Sequence, residues 1–288
     1  MEVCTATDRL HDGPGVFRVL RCASCGLMRT DPRPAAESMR LYYPAEYGPY
    51  LETAVEPGAL KRVMRRLLPS RDTAIPELPP GRLLELGAAS GNFLLEMQAQ
   101  GWAVTGLEWD PAAAARAASR TGARVVAGGV EGADFPEGAF DLVCAWMVLE
   151  HVEDPFRTLR QCQRWLKAGG WIAFSVPDSG SWQLRVFKGD WNALHIPNHL
   201  HHFTVPQIRS ALLSAGFDSV SVRWQATLLD VPMSIAYRVE SRLGRHPGAV
   251  ARRVAGSPPM RLTARVAGLV AAPFGLTGRV TVWARKPC

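Results

Sequence analysis

Between Gly81 and Trp224 short apolar runs alternate with stretches of helical period, and this alternation restricts the fold more than any other feature of the chain. Residues 82–86 form the first apolar run, which stops at Gly87. Phe93, Leu94 and Met97 then recur at helical spacing. Residues 102–107 predict a second strand, ending at Glu108. Asp110-Pro111 opens an Ala-rich helix, with Asp as N-cap and Pro at the first helical position. Residues 124–127 and 140–144 predict two more strands, and Asp154-Pro155 opens another helix by the same device. A fifth strand is predicted over 171–176. A capping box over 204–207 precedes Ile208, Leu212 and Leu213, and 217–224 predicts a sixth strand. Strands alternating with helices need crossover connections, so the predicted fold class is α/β, a parallel sheet doubly wound by helices. Ligands of such sheets bind at the carboxyl ends of the strands.

The sharpest local signal lies at the first of those ends. Glu85-Leu86-Gly87-Ala88-Ala89-Ser90-Gly91 joins the first strand to the first helix. Glycines allow a tight turn and a close approach of a ligand, and the helix behind them offers unpaired N–H groups. Glu108 ends the next strand, where a carboxylate can accept both hydroxyls of a ribose. A dinucleotide site would carry G-x-G-x-x-G, and this turn is G-x-x-x-G with Glu two residues before it.

Four blocks together resemble a class I S-adenosylmethionine-dependent methyltransferase: ELGAASGNFL, VTGLEWD, FPEGAFDLVCAWMVLEHVEDP and RWLKAGGWIAFSVP. They cover residues 83 to 167 and beyond, in the family's order and spacing. The resemblance implies a Rossmann-like seven-stranded sheet whose last strand is antiparallel, here 279–285. It implies S-adenosylmethionine as cofactor and assigns its residues. Glu85, Gly87 and Ala88 shape the methionine end, and Gly91 lets the chain pass close. Glu108 takes the ribose and Trp109 covers an adenine face. Val130 and Glu131, after Gly129, hold the adenine edge. Ala145 and Trp146 flank the sulfonium. Ala89 departs from the family, where many members have a second Gly.

Methyl transfer is an in-line displacement, so the protein must align the partners and, for a hydroxyl acceptor, remove a proton. Four of the seven histidines lie in His195-Ile196-Pro197-Asn198-His199-Leu200-His201-His202-Phe203-Thr204. This block resembles the P-x-H-L-x-x-F-T/S segment of a methyltransferase subgroup that includes sugar and natural-product enzymes. His199 is the first candidate general base and His202 the second. The competing reading makes the block a structural lid. Glu150 and His151 resemble part of the metal motif of quinone O-methyltransferases, but Met147 stands where that motif has its first Glu, so both are read as structural or positioning residues.

Residues 1–58 are rich in Pro, Tyr and Cys and show no long helical period. Cys22-Ala23-Ser24-Cys25-Gly26-Leu27 resembles one half of a zinc ribbon, with Cys4 the third candidate ligand. A closed zinc site needs four ligands, and a degenerate ribbon without metal is the alternative. Tyr42, Tyr43, Tyr47 and Tyr50 follow, either as a lid or as packing. Residues 59–80 hold a basic amphipathic stretch, 60–68, and a Pro-rich linker. The methyltransferase domain is expected over 81–288, with a helical insertion at 225–278 before the last strand.

Charge is unevenly placed. From Gln225 to Cys288 ten Lys and Arg face two acids, a balance of +8; the whole chain carries +7, so the other 224 of its 288 residues sum to −1. A near-neutral body with a basic end is no general nucleic-acid binder. The basic segment predicts a helical cap on the acceptor pocket, peripheral contact with an anionic membrane surface, or contact with the phosphates of a nucleotide sugar or of RNA. The longest small and apolar run, 266–276, is shorter than the roughly 20 residues of a membrane span. No apolar leader follows Met1, so a cytoplasmic protein is expected, with any membrane contact on the inner face. The expected function is methyl transfer from S-adenosylmethionine to oxygen of a small-molecule, sugar or lipid-linked acceptor. Two rivals are an RNA methyltransferase and a cofactor-binding protein without catalysis. Strand four runs into Ala145-Trp146-Met147, with neither the N-P-P-Y of nitrogen methylation nor the Pro-Cys of cytosine C5 methylation.

Overall fold

A computed structural model describes residues 1–43 and 73–288. The basic stretch 60–68, Tyr47 and Tyr50 lie outside the described residues. The chain opens with β1 (Glu2–Ala6), β2 (Phe17–Arg21), β3 (Met28–Asp31) and a short α1 (Ala36–Met39). The alternating region follows as β4 (Arg82–Leu86), α2 (Asn92–Ala99), β5 (Ala103–Glu108), α3 (Pro111–Thr121), β6 (Arg124–Ala127), β7 (Phe140–Trp146), α4 (Pro155–Trp165) and β8 (Leu166–Pro177). Then come α5 (Trp182–Phe187), β9 (His201–His202), α6 (Val205–Ser214) and β10 (Asp218–Trp224). Helices α7 (Asp230–Leu243), α8 (Arg245–Ala255) and α9 (Pro258–Ala271) form the expected insertion before β11 (Arg279–Arg285).

The seven-stranded sheet has the order β10-β11-β8-β7-β4-β5-β6. β4 runs parallel to β5 and β7, β5 to β6, and β7 to β8. The last strand is antiparallel. Gly170 O accepts from Lys286 N at one end of β8, and Asp178 N donates to Gly278 O at the other. The partner's number falls as the residue number rises, so β11 runs against β8. Leu83, Leu84 and Leu86 are fully buried, as parallel strands covered on both faces require. The helix starts form as their sequences dictate. Asp110 accepts from Ala113 N at 2.7 Å, Asp154 from Arg157 N at 2.9 Å, and Gln207 Oε1 from Thr204 N at 3.0 Å.

The chain divides into two compact units that interleave along the sequence. The sheet unit comprises Ala45–Ser175, Arg209–Ser221 and Val282–Cys288. The ribbon unit comprises Met1–Pro44, Val176–Ile208 and Val222–Thr281. The segment expected as one domain, 81–288, therefore contributes to both. Within the ribbon unit β1, β2, β3 and β9 form an antiparallel sheet in that order. Met28 pairs with His202 and Arg29 with His201, so the histidine block and the N-terminal strands share one sheet. Phe17, Val19, Met28, Phe187, Trp191 and Leu194 build the core beneath it. Asp230, at the start of α7, is buried and takes both Nε and Nη2 of Arg279 at 2.7 Å, which holds its carboxyl below the usual range against the cost of burial.

Candidate functional site

The glycine turn of the sheet unit closes on the carbonyl of Leu107, which accepts from Gly87 N at 2.7 Å and Ala88 N at 3.1 Å. Gly87 and Gly91 have φ of 71° and 74°. A Cβ at Gly87 would press on Val148, and one at Gly91 on Thr121. Both positions therefore need glycine for conformation and for space. Ala89, also at positive φ, keeps the turn without a glycine. Arg120, in the last turn of α3, donates to Ser90 O and to Asn92 Oδ1, each at 2.5 Å. Nothing in the sequence singled out Arg120, because a basic residue near a helix C-terminus is also a common dipole partner.

Glu108 is 4% exposed and anchors the turn. Its Oε2 accepts from Ala89 N at 2.8 Å and its Oε1 from Asp110 N at 3.0 Å. Burial raises its carboxyl above the usual range, and those two N–H groups oppose the rise. The N–H of Trp109 acts on it too, and of the roughly four acceptor directions of a carboxylate one is left for a ligand hydroxyl. Glu85 lies deeper, beside Cys144 in the register of β7. Burial, then the nearby charge of Glu108, push it well up, and its Oε2 has no hydrogen-bond partner among the described residues. Trp146 also has a buried indole Nε1 without a partner there, with its ring edge-on to Phe93 at 5.3 Å. Of fourteen such atoms among the described residues, these two lie at the carboxyl ends of β4 and β7, where a polar ligand of the sheet would meet them.

The third part of the site follows β5 and β6. Trp109 is 43% exposed. A Cβ at Gly129 would stand near the Trp109 ring and the Glu131 carboxylate, so these three groups converge. Val130 is buried beside them, and Glu131 Oε1 accepts from Glu153 N at 3.2 Å. Glu85, Gly87, Ala88, Gly91, Glu108, Trp109, Val130, Glu131, Ala145 and Trp146 thus all belong to the sheet unit, at or just beyond the carboxyl ends of β4 to β7. An open glycine cradle, an unpartnered carboxylate oxygen and an exposed ring beside Gly129 suit S-adenosylmethionine, with an ammonium, ribose hydroxyls and an adenine.

In the ribbon unit the histidine block is held from the N-terminal side. Thr30 N donates to Leu200 O at 3.0 Å, and Thr30 Oγ1 donates to His199 O at 2.6 Å. The same hydroxyl lies 3.0 Å from His202 Nε2. With its proton given to His199 O, it can only accept there, so His202 Nε2 carries hydrogen. Burial pushes His202 down to about 3, with His201 adding to the effect. The contact with Thr30 gives His202 a holding role in the block. His199 is buried with Nδ1 3.1 Å from Ala193 O, which places the hydrogen on Nδ1 and leaves Nε2 as the basic nitrogen, 3.3 Å from His195 Nδ1. The clamp residue, Thr30, carries no sequence signal, because its partners lie 169 and more residues away.

The three cysteines are not brought together. Cys4 pairs with Val19 and is buried in the ribbon core, its thiol pushed up to about 11 by burial first. Cys22 lies three residues beyond Val19, about 10 Å along the strand. A site of Cys4, Cys22 and Cys25 is thus corrected: Cys4 is a core residue, and the other two supply half of the four ligands zinc needs. Cys22 and Cys25 are exposed on the turn between β2 and β3. Ser24 and the N–H of Cys25 hold the Cys22 thiol down to about 6.

A family model described as "Methyltransferase domain" matches residues 56–222. A probable S-adenosylmethionine-dependent methyltransferase of Mycobacterium tuberculosis is 27% identical over 199 residues, covering 67% of this chain and 68% of its own. A ubiquinone biosynthesis O-methyltransferase of Sodalis glossinidius is 29% identical over 151 residues, 50% of this chain and 60% of its own. The chain thus spans about 60% of that relative's length. Among solved structures, an S-adenosylmethionine-dependent methyltransferase of Thermotoga maritima, described as a possible histamine N-methyltransferase, is similar with a TM-score of 0.52. It is 21% identical and covers 75% of this chain and 88% of its own, a likeness of fold.

Proposed function

The chain belongs to the methyltransferase domain family, and on that premise we propose that it methylates a hydroxyl of a small-molecule, sugar or lipid-linked acceptor, with His199 as general base. S-adenosylmethionine, when bound, supplies the methyl group on a sulfonium that is already a good leaving group. The observation that carries the reading is the pair of vacant polar positions around the glycine turn, Glu85 Oε2 and Trp146 Nε1. Glu85 and the turn would hold the amino-acid end, Glu108 the ribose and Trp109 with Glu131 the adenine. Support for oxygen as acceptor atom comes from the similarity to proteins named ubiquinone biosynthesis O-methyltransferase. His199, with Nδ1 fixed on Ala193 O, would exchange the 3.3 Å contact of its Nε2 with His195 Nδ1 for the hydroxyl proton as the new bond forms.

A screen of hydroxylated acceptors, read by S-adenosylhomocysteine release, tests this reading. General-base catalysis contributes about 10²- to 10⁴-fold. His199→Ala should lose at least about 100-fold in kcat with S-adenosylmethionine affinity within a few-fold. Near wild-type kcat in that variant would move the base elsewhere.

A membrane contact follows from a separate observation. Helix α9 turns Ala264 and Gly268 inward, and Gly268 packs so closely on Thr227 that a Cβ would collide. Its large apolar residues Leu262, Val266, Leu269 and Val270 face out, with Val270 69% and Phe274 75% exposed. Ordinary surface helices do the reverse. From Ser241 to Cys288 there are nine Lys and Arg and no acid. Apolar exposure edged by cations suits the surface of an anionic bilayer. No helix among the described residues is long and apolar enough to cross a membrane. Co-sedimentation with anionic vesicles should be strong at low salt and fall in the variant Val270→Asp with Phe274→Asp. Equal binding by that variant, or none by the wild type, removes the contact.

A further inference from the structure

The ribbon unit contains an open cavity of about 480 Å³ whose lining includes Thr5, Arg9, Lys188, Asp190, Arg238 and Arg242. Four cations face one carboxylate, and that carboxylate is already engaged. Asp190 accepts from Arg9 Nη2 at 3.1 Å, from Arg238 Nε at 3.4 Å and from Ser241 Oγ at 2.7 Å. Arg238 also donates to Val186 O at 2.6 Å and lies over the Phe187 ring at 5.0 Å. Two guanidinium groups are thus fixed in place before any ligand arrives, each with about a quarter of its side chain exposed, 28% for Arg9 and 26% for Arg238. Lys188 and Arg242 form no ion pair among the described residues. The formal charge of the group is +3.

The backbone adds an independent mark. Lys188 has φ 51° and ψ −126°, a conformation that L side chains rarely adopt and that glycine adopts freely. A lysine held there is retained against its own backbone preference, and such outliers concentrate at ligand clamps. We propose that this cavity binds a phosphoryl group bearing two or more negative charges, a diphosphate above all. Arg forks match phosphate oxygens in pairs, and Lys188 adds a mobile point charge. A single carboxylate would leave two of the three uncompensated charges unanswered. The inference stands apart from the methyl-transfer reading and needs no knowledge of the methyl acceptor.

Titration calorimetry at fixed physiological ionic strength tests it with inorganic pyrophosphate, orthophosphate and sulfate. The expected order is pyrophosphate first, with orthophosphate and sulfate at least about tenfold weaker. Arg242→Glu should abolish the pyrophosphate signal. Lys188→Gly should weaken it about tenfold while raising the melting temperature, because glycine relieves the backbone; a merely structural lysine would not show that pairing. A nucleoside diphosphate that binds more tightly than pyrophosphate points to a soluble ligand. Vesicles of phosphatidylcholine with phosphatidic acid, released by free pyrophosphate, point to a lipid headgroup. No pyrophosphate binding by the folded wild type, equal affinity for sulfate, or full binding by Arg242→Glu overturns the proposal.

Discussion

The glycine turn of the sheet unit and the histidine block of the ribbon unit are both dense in polar groups, yet they are built in opposite ways. Around the turn, buried polar atoms keep capacity in reserve: Glu85 Oε2 and Trp146 Nε1 have no partner among the described residues, and Glu108 takes the backbone N–H groups of Ala89, Trp109 and Asp110 with an acceptor direction left over. In the histidine block, two of the rings are drawn into the protein's own network, His202 on Thr30 and His199 on Ala193 O. Residue type alone does not separate a ligand site from an anchor. The separation lies in which atoms remain unsatisfied once folding is complete.

Breaking the turn should have the largest effect. Gly87→Val places a branched side chain at φ 71° against Val148. Backbone strain of about 1–3 kcal/mol and the blocked cradle should together lower cofactor affinity at least about 100-fold. Retained affinity by calorimetry would show that the turn is not the binding surface. Glu108→Gln comes next. It puts an amide NH₂ where Ala89 N or Asp110 N donates, and it removes the charge toward a ribose. A charged hydrogen bond contributes about 1.5–3 kcal/mol, so roughly tenfold weaker cofactor binding is expected. A drop in melting temperature with unchanged affinity would confine Glu108 to the anchor role.

The anchor side is sharpened by Thr30→Val, which keeps shape and removes the hydroxyl shared by His199 O and His202. Unfolding free energy should fall by about 1–3 kcal/mol, while cofactor affinity stays within a few-fold. Lost cofactor affinity with unchanged stability would break the distinction between the two regions. The last effect is in pH dependence. His202 titrates at about 3 in the fold and near 6.5 unfolded, so protons bind the unfolded chain first as pH falls. Its contribution is fully present above pH 6.5 and is lost on the way down to about pH 3, at most about 1.4 kcal/mol per pH unit. His202→Gln should flatten that part of the stability curve. An identical slope in the variant would show that His202 is not buried neutral.

Most strands were legible because parallel strands need continuous apolar runs and helix starts need caps, and both are local. β6 and β11 match their predicted spans, and Asp110, Asp154 and Gln207 act where expected. Glu85, Gly87 and Glu108 were legible because their spacing is fixed by a strand, a turn and a helix. What was hidden depends on distant partners. Thr30 meets residues 169 and 172 positions away, and Arg120 reaches back 30 to Ser90. Cys4 looked like a ligand by the resemblance to a zinc ribbon, but strand alternation turns it into the core. The ribbon unit is assembled from three separated segments, which no linear boundary can express.

The central claim is that the turn between β4 and α2 holds S-adenosylmethionine, and direct titration of S-adenosylhomocysteine into the folded full chain tests it. The prediction is saturable binding at one site per chain, abolished by Gly87→Val in a variant that keeps a cooperative thermal transition. A folded wild type that takes up no S-adenosylhomocysteine, or a folded Gly87→Val that binds it undiminished, would contradict the claim.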